Sequence, residues 1–189
     1  YKVDFEKLKG KMLSFNFFSC LVLYFCINTS NSYFFQKCTS QESFQDTKIV
    51  STLNGFVRGE CYNVPVSYSN QTTLNYDVFT WLSIPFAEPP VGENRFLKPK
   101  PVKSWNGIKD TLTWPAACIQ SVNETSPEFF SGDEDCLYLN VFVRGDSFLN
   151  RNNELKPIMI WIYGGSFTSG SSALDYYEPS TLVASRDVI

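Results

Sequence analysis

Residues 158–163 (Ile-Met-Ile-Trp-Ile-Tyr) form an apolar run that begins after Pro157 and leads straight into Gly164, Gly165 and Ser166. A run this short, apolar on both faces and bounded by Pro and Gly, predicts a buried strand that ends in a sharp turn. Consecutive glycines let the backbone turn at once and aim successive N–H groups into one concavity, which is a site for an anion. Residues 137–144 (Leu-Tyr-Leu-Asn-Val-Phe-Val-Arg), rich in β-branched and aromatic side chains, predict a second buried strand. On its own a glycine pair after a strand is more often a tight turn than an anion site, so its meaning depends on the surrounding residues.

The chain has 189 residues and no histidine. Serine-type acyl transfer needs a nucleophile, a general base and donors for the oxyanion. Of these parts the chain can supply only the donors. Ser166 is not the nucleophile of a Gly-x-Ser-x-Gly elbow, because residue 168 is Thr, and no other stretch fits that motif. A net charge of −3 and the lack of a Lys/Arg cluster argue against a nucleic-acid partner.

Residues 13–27 are apolar and aromatic and are followed by Asn, Thr and Ser, which predicts a leader over 1–32 with a secretory signal peptide starting at Met12. The run falls short of the roughly 20 apolar residues of a membrane span. Residues 33–47 read as a polar linker. Residues 48–58 predict an antiparallel hairpin around Asn54-Gly55. Residues 62–76, rich in Ser, Asn, Gln and Thr, predict an exposed loop. Residues 78–84 predict a strand, the five prolines of 85–101 an irregular connector, and 178–185 a helix.

Six cysteines are present, two of them (Cys20 and Cys26) in the leader. The other four, Cys38, Cys61, Cys118 and Cys136, allow three pairings, and arithmetic does not choose among them. With no histidine and no Cys-x-x-Cys pair, no metal site is expected. Asn70-Gln-Thr72 and Asn123-Glu-Thr125 are glycosylation sequons in polar stretches, and Asn28 opens a third. A leader, paired cysteines and sequons together predict a secreted or extracellular surface protein.

Several blocks occur in a fixed order: Asn54 to Gly59, Ile84-Pro-Phe-Ala-Glu-Pro-Pro-Val-Gly92 with Arg95-Phe96, Trp105-Asn-Gly107, Cys118, Glu134-Asp-Cys-Leu-Tyr-Leu-Asn140, and Trp161 to Gly165. In this order they resemble the amino-terminal part of type-B carboxylesterases, a family that includes cholinesterases, bile-salt-activated lipases and the non-catalytic neuroligins. The resemblance covers residues 48–189, and residues 163–174 are most similar to the cholinesterase branch. It implies an α/β-hydrolase fold with a mixed, mostly parallel sheet, incomplete here because the sequence stops within the first third of such a domain. It implies an oxyanion hole at Gly164, Gly165 and Ser166, a disulfide joining Cys118 to Cys136, and a buried ion pair between Arg95 and Glu134. It implies a small-molecule ester substrate, no cofactor, and a nucleophile, acid and histidine beyond residue 189. Oligomerisation and membrane attachment would reside in the carboxyl-terminal part. The 189-residue chain alone is expected to be inactive.

Three departures bear on substrate. No tryptophan lies between Cys118 and Cys136, where cholinesterases carry one that binds a quaternary ammonium by cation–π attraction. Asn123 stands where many cholinesterases have an acidic residue. Ser166 replaces the commoner third glycine, as it does in neuroligins, so a neuroligin-like adhesion protein is the alternative reading.

Overall fold

The computed structural model describes residues 35–38, 48–121, 130–149 and 155–189. The predicted leader, most of the 33–47 linker and the Asn123 sequon lie outside the described residues.

The longest element is a hairpin. Strand β4 (Glu60–Ser67) pairs antiparallel with β5 (Thr73–Pro85) from Glu60 opposite Thr80 to Ser67 opposite Thr73. Alternation places Val64, Val66, Val78 and Leu82 on one face and Cys61, Phe79 and Trp81 on the other. The sheet is completed by β1 (Gln36–Lys37) beside β4 and β9 (Tyr138–Arg144) beside β5, in the order β1-β4-β5-β9, all antiparallel.

Each face of β5 has its own cover. Helix α2 (Ser180–Arg186) buries Val183 and Ala184 against Val64, Val66, Val78, Leu82 and Phe142. The opposite face packs on Val57 of β3 (Phe56–Arg58) and on Phe148 of helix α1 (Gly145–Leu149), whose ring lies 5.0 Å from Phe79 and 5.1 Å from Trp81. Strand β3 belongs to a second sheet, antiparallel to β2 (Ile49–Ser51) and parallel to β6 (Ile108–Asp110). At the β2–β3 turn a Cβ on Gly55 would meet the Trp105 indole at 2.5 Å, and that indole N–H donates to the Phe56 carbonyl at 2.9 Å. Two of the sequence blocks thus meet at one contact.

The described residues do not form the expected mostly parallel sheet. Their sheets are small and largely antiparallel, with few helices. Hairpin neighbours close antiparallel, whereas a parallel pair needs a long crossover, and among the described strands only β3 and β6 pair in parallel. The 62–76 loop prediction is also corrected, since those residues belong mainly to the β4–β5 hairpin. Its polar side chains pair across the strands, Asn63 with Asp77, Ser67 with Thr73 and Tyr68 with Tyr76. Ser83 sits at a bulge in β5 with φ +58°, held by its N–H to the Asn140 side chain at 3.0 Å and its hydroxyl to the Thr113 carbonyl.

Cys38 and Cys61, whose pairing the sequence left open, are disulfide-bonded with Cα atoms 5.4 Å apart, tying β1 to β4. Glu60 adds a polar tie, accepting from Lys37 at 2.7 Å and from Lys48. Burial raises the Glu60 carboxyl, but the two lysines and the Cys61 N–H outweigh it and hold its pKa below the ordinary value. A lowered folded pKa stabilises above the unfolded value and is lost as pH falls through the folded one. The melting temperature should therefore drop on acidification below about pH 4.3, and less steeply in Glu60→Gln. An identical acid slope in the variant would show that this tie contributes nothing.

Candidate functional site

Residues 158–163 do not form the predicted buried strand. Ile158, Met159, Ile160, Trp161 and Ile162 are all exposed. One rung is present: the Met159 N–H donates to the Ile189 carbonyl at 2.6 Å, and the Ile189 N–H to the Pro157 carbonyl at 2.9 Å. That is the pattern of a parallel pair. A strand apolar on both faces needs neighbours on both sides, and among the described residues this rung is joined only by the Tyr177 ring, 5.2 Å from that of Trp161.

The segment delivers the chain into the predicted turn. Gly165 has φ +146°, and Ser166 and Phe167 both lie in the left-handed region at +55° and +61°. The Gly165 carbonyl closes the turn by accepting from the Thr168 N–H at 2.9 Å and the Ser169 N–H at 3.1 Å. Only glycine fits at 165, because a Cβ there would lie 1.9 Å from the Ser169 carbonyl oxygen. Among the described residues, the N–H groups of Gly165 and Ser166 donate to no protein acceptor. These two consecutive free donors could receive a developing negative charge. Gly164 precedes them, and a Cβ there would meet nothing within 4 Å.

An open cavity of about 500 Å³ lies against this turn. Gly164, Gly165, Ser169 and Gly170 line it on one side and Ala117 and Gln120 on another, and among the described residues no charged side chain lines it.

The wall opposite the turn comes from the Cys118–Cys136 segment. These cysteines are disulfide-bonded, Cα atoms 5.0 Å apart. Between them β7 (Gln120–Ser121) pairs antiparallel with β8 (Phe130–Ser131), so the disulfide closes a β-ribbon. Gly132, at φ +112°, lets the ribbon return against Ala117, whose carbonyl oxygen would be 2.5 Å from a Cβ at 132. Asn123 lies outside the described residues.

Arg95 reaches Glu134 at 2.5 Å and so joins the proline-rich connector to the segment beside the disulfide. The expected buried setting is corrected: the two side chains are 52% and 36% exposed. In water such a pair is screened and contributes little to stability. Asn70 occupies the β4–β5 turn, exposed, its side-chain oxygen accepting the Thr72 N–H at 3.1 Å.

Sequence reasoning missed Gln120. Its side-chain amide donates to the Gly170 and Cys118 carbonyls, both at 3.0 Å, and accepts the Gly170 N–H at 2.8 Å. A glutamine carries no motif, so only its neighbours reveal the role.

Comparison with known proteins places these features in context. Residues 46–189 match the model of the carboxylesterase family. The chain is 39% identical over 149 residues to the acetylcholinesterase of Bungarus fasciatus, an alignment covering 74% of this chain and 22% of that protein. It is 44% identical over 121 residues to the acetylcholinesterase of Electrophorus electricus, covering 59% and 18%. It is 38% identical over 125 residues to the cocaine esterase of Homo sapiens, covering 61% and 22%. The chain spans about a fifth of the length of these relatives.

Proposed function

Since the chain belongs to the carboxylesterase family, we propose that it is the oxyanion-bearing amino-terminal part of a secreted or cell-surface serine carboxylic-ester hydrolase of the cholinesterase-like branch. The observation that carries this reading is the turn at 164–169, with two consecutive backbone donors left free beside a cavity. In the longer protein a serine hydroxyl attacks the ester carbonyl, a histidine takes its proton, and the carbonyl oxygen becomes negative. Gly165 and Ser166 donate their N–H groups to that oxygen, and Gly164 shapes the approach. The serine, its acidic partner and the histidine come from residues beyond 189. No metal or cofactor enters this chemistry.

Neutral esters are the substrates this arrangement favours. Among the described residues no charged side chain lines the cavity, no tryptophan lies between Cys118 and Cys136, and Asn123 stands where many cholinesterases have an acidic residue. Two disulfides and an exposed sequon at Asn70 support the extracellular setting. A second reading, a neuroligin-like adhesion protein, is favoured by Ser166 in place of a third glycine.

A direct comparison separates the two. The purified longer protein is offered a neutral butyrate ester and the corresponding choline ester. Hydrolysis of the neutral ester at a rate equal to or above that of the choline ester is expected. A folded protein that hydrolyses neither would give way to the adhesion reading.

A further inference from the structure

The turn at 164–169 is closed internally, and two residues past Gly170 the Asn140 amide donates to the Ser172 hydroxyl at 3.3 Å. Among the described residues, the only hydrogen bonds joining residues 164–170 to any other part of the chain are those of Gln120 to Gly170. We propose that Gln120 is a positioning residue for the oxyanion turn: it grips the backbone of Gly170 and thereby sets where the Gly165 and Ser166 N–H groups point. This rests on the esterase reading above.

A side-chain amide offers two donors and a carbonyl acceptor. Gln120 spends one donor and the acceptor on the carbonyl and N–H of Gly170, at 3.0 and 2.8 Å, reproducing the double contact of a strand rung. Its second donor returns to the Cys118 carbonyl at 3.0 Å and fixes the amide plane. Behind the amide stand the Cys118–Cys136 disulfide and the pairing of Gln120 with Ser131, so the anchor is held on both sides.

From Gly170 the constraint passes to the donors by direct packing. Gly170 has φ +108°, and a Cβ on it would lie 2.6 Å from the Gly164 carbonyl oxygen and 2.8 Å from the Tyr163 ring. Its backbone therefore lies against the entry to the turn with no side chain between. A shift of Gly170 would move Gly164, and with it the two donors that follow. Displacements of about 1 Å in a catalytic group can cost on the order of 100-fold in rate.

The test uses the longer protein, with Gln120→Ala and Gln120→Glu beside the wild type and a neutral ester as substrate. Gln120→Ala is expected to lower kcat by about 10- to 100-fold while KM changes far less, because the oxyanion contact forms only in the transition state. Gln120→Glu keeps an acceptor for the Gly170 N–H. When ionised it faces the Cys118 and Gly170 carbonyls with no proton to give; when protonated it can donate to one of them. The kcat ratio of Gln120→Glu to wild type should therefore rise as pH falls, a recovery that loss of packing alone would not produce.

Wild-type kcat in Gln120→Ala, or a pH-independent ratio in Gln120→Glu, would overturn the proposal. A wild type that hydrolyses no ester would count against the esterase reading instead. In that case amide exchange at Gly170 still decides the grip: faster exchange in Gln120→Ala supports it, and unchanged exchange rejects it.

Discussion

Gly165→Ala in the longer protein is expected to lower kcat for ester hydrolysis by about 100- to 1000-fold, the cost of losing an oxyanion donor, with its melting temperature nearly unchanged. The new Cβ would sit 1.9 Å from the Ser169 carbonyl oxygen, at a φ of +146° that L-residues rarely adopt. Relief requires the turn to open, which breaks the Thr168 and Ser169 hydrogen bonds to the Gly165 carbonyl and swings the free N–H groups away. The turn is largely exposed, so the damage should be local. Steady-state kinetics beside a thermal melt would check this. A variant with near-wild-type kcat would mean that the turn does not hold the oxyanion.

Trp81→Ala should produce the largest loss of stability, about 3–5 kcal/mol. Trp81 is buried at the centre of β5, edge-on to Phe148, and its indole N–H donates to the Lys48 carbonyl at 2.9 Å. Truncation leaves a cavity between the two sheets and removes one of the two hydrogen bonds that the Lys48 carbonyl accepts, the other coming from the Gly59 N–H at 2.9 Å. Domains are commonly stable by only about 5–15 kcal/mol, so a loss of this size should be plain in a urea titration of the longer protein. A change below about 1 kcal/mol would show that the interface between the sheets is not the core described here.

Local signals were legible and long-range partners were not. The hairpin at Asn54-Gly55, the strand at 138–144 and the helix near 180 were each predicted by a turn pair, an apolar pattern or both. The β4–β5 hairpin was misread because Asn63, Ser67, Thr73 and Asp77 give it the composition of a loop, and only the inward set of Val64, Val66 and Val78 reveals a strand. At 158–162 the opposite error arose. Apolar residues state a need for neighbours on both faces, but the described residues meet that need only where Met159 and Pro157 bond to Ile189 and where Trp161 packs on Tyr177. Such a long unpaired apolar segment is an association hazard, and the 189-residue chain expressed alone should aggregate.

At the site, the glycine pair was readable because its chemistry is backbone chemistry and glycine announces it. Arg95 and Glu134 do lie together, but their exposure could not be read from two letters 39 positions apart. Gln120 left no signal at all, since an amide that bridges two distant backbone segments has no local pattern.

The most direct test of the central claim is covalent labelling of the longer protein with a phosphonofluoridate, which mimics the acyl transition state and forms a stable adduct on an activated serine. Mass spectrometry should find one adduct per chain, on a serine beyond residue 189, formed much more slowly in Gly165→Ala. Absence of any adduct on folded protein, or labelling at Ser166, would contradict the assignment of residues 164–166 as oxyanion donors to a nucleophile supplied from elsewhere in the protein.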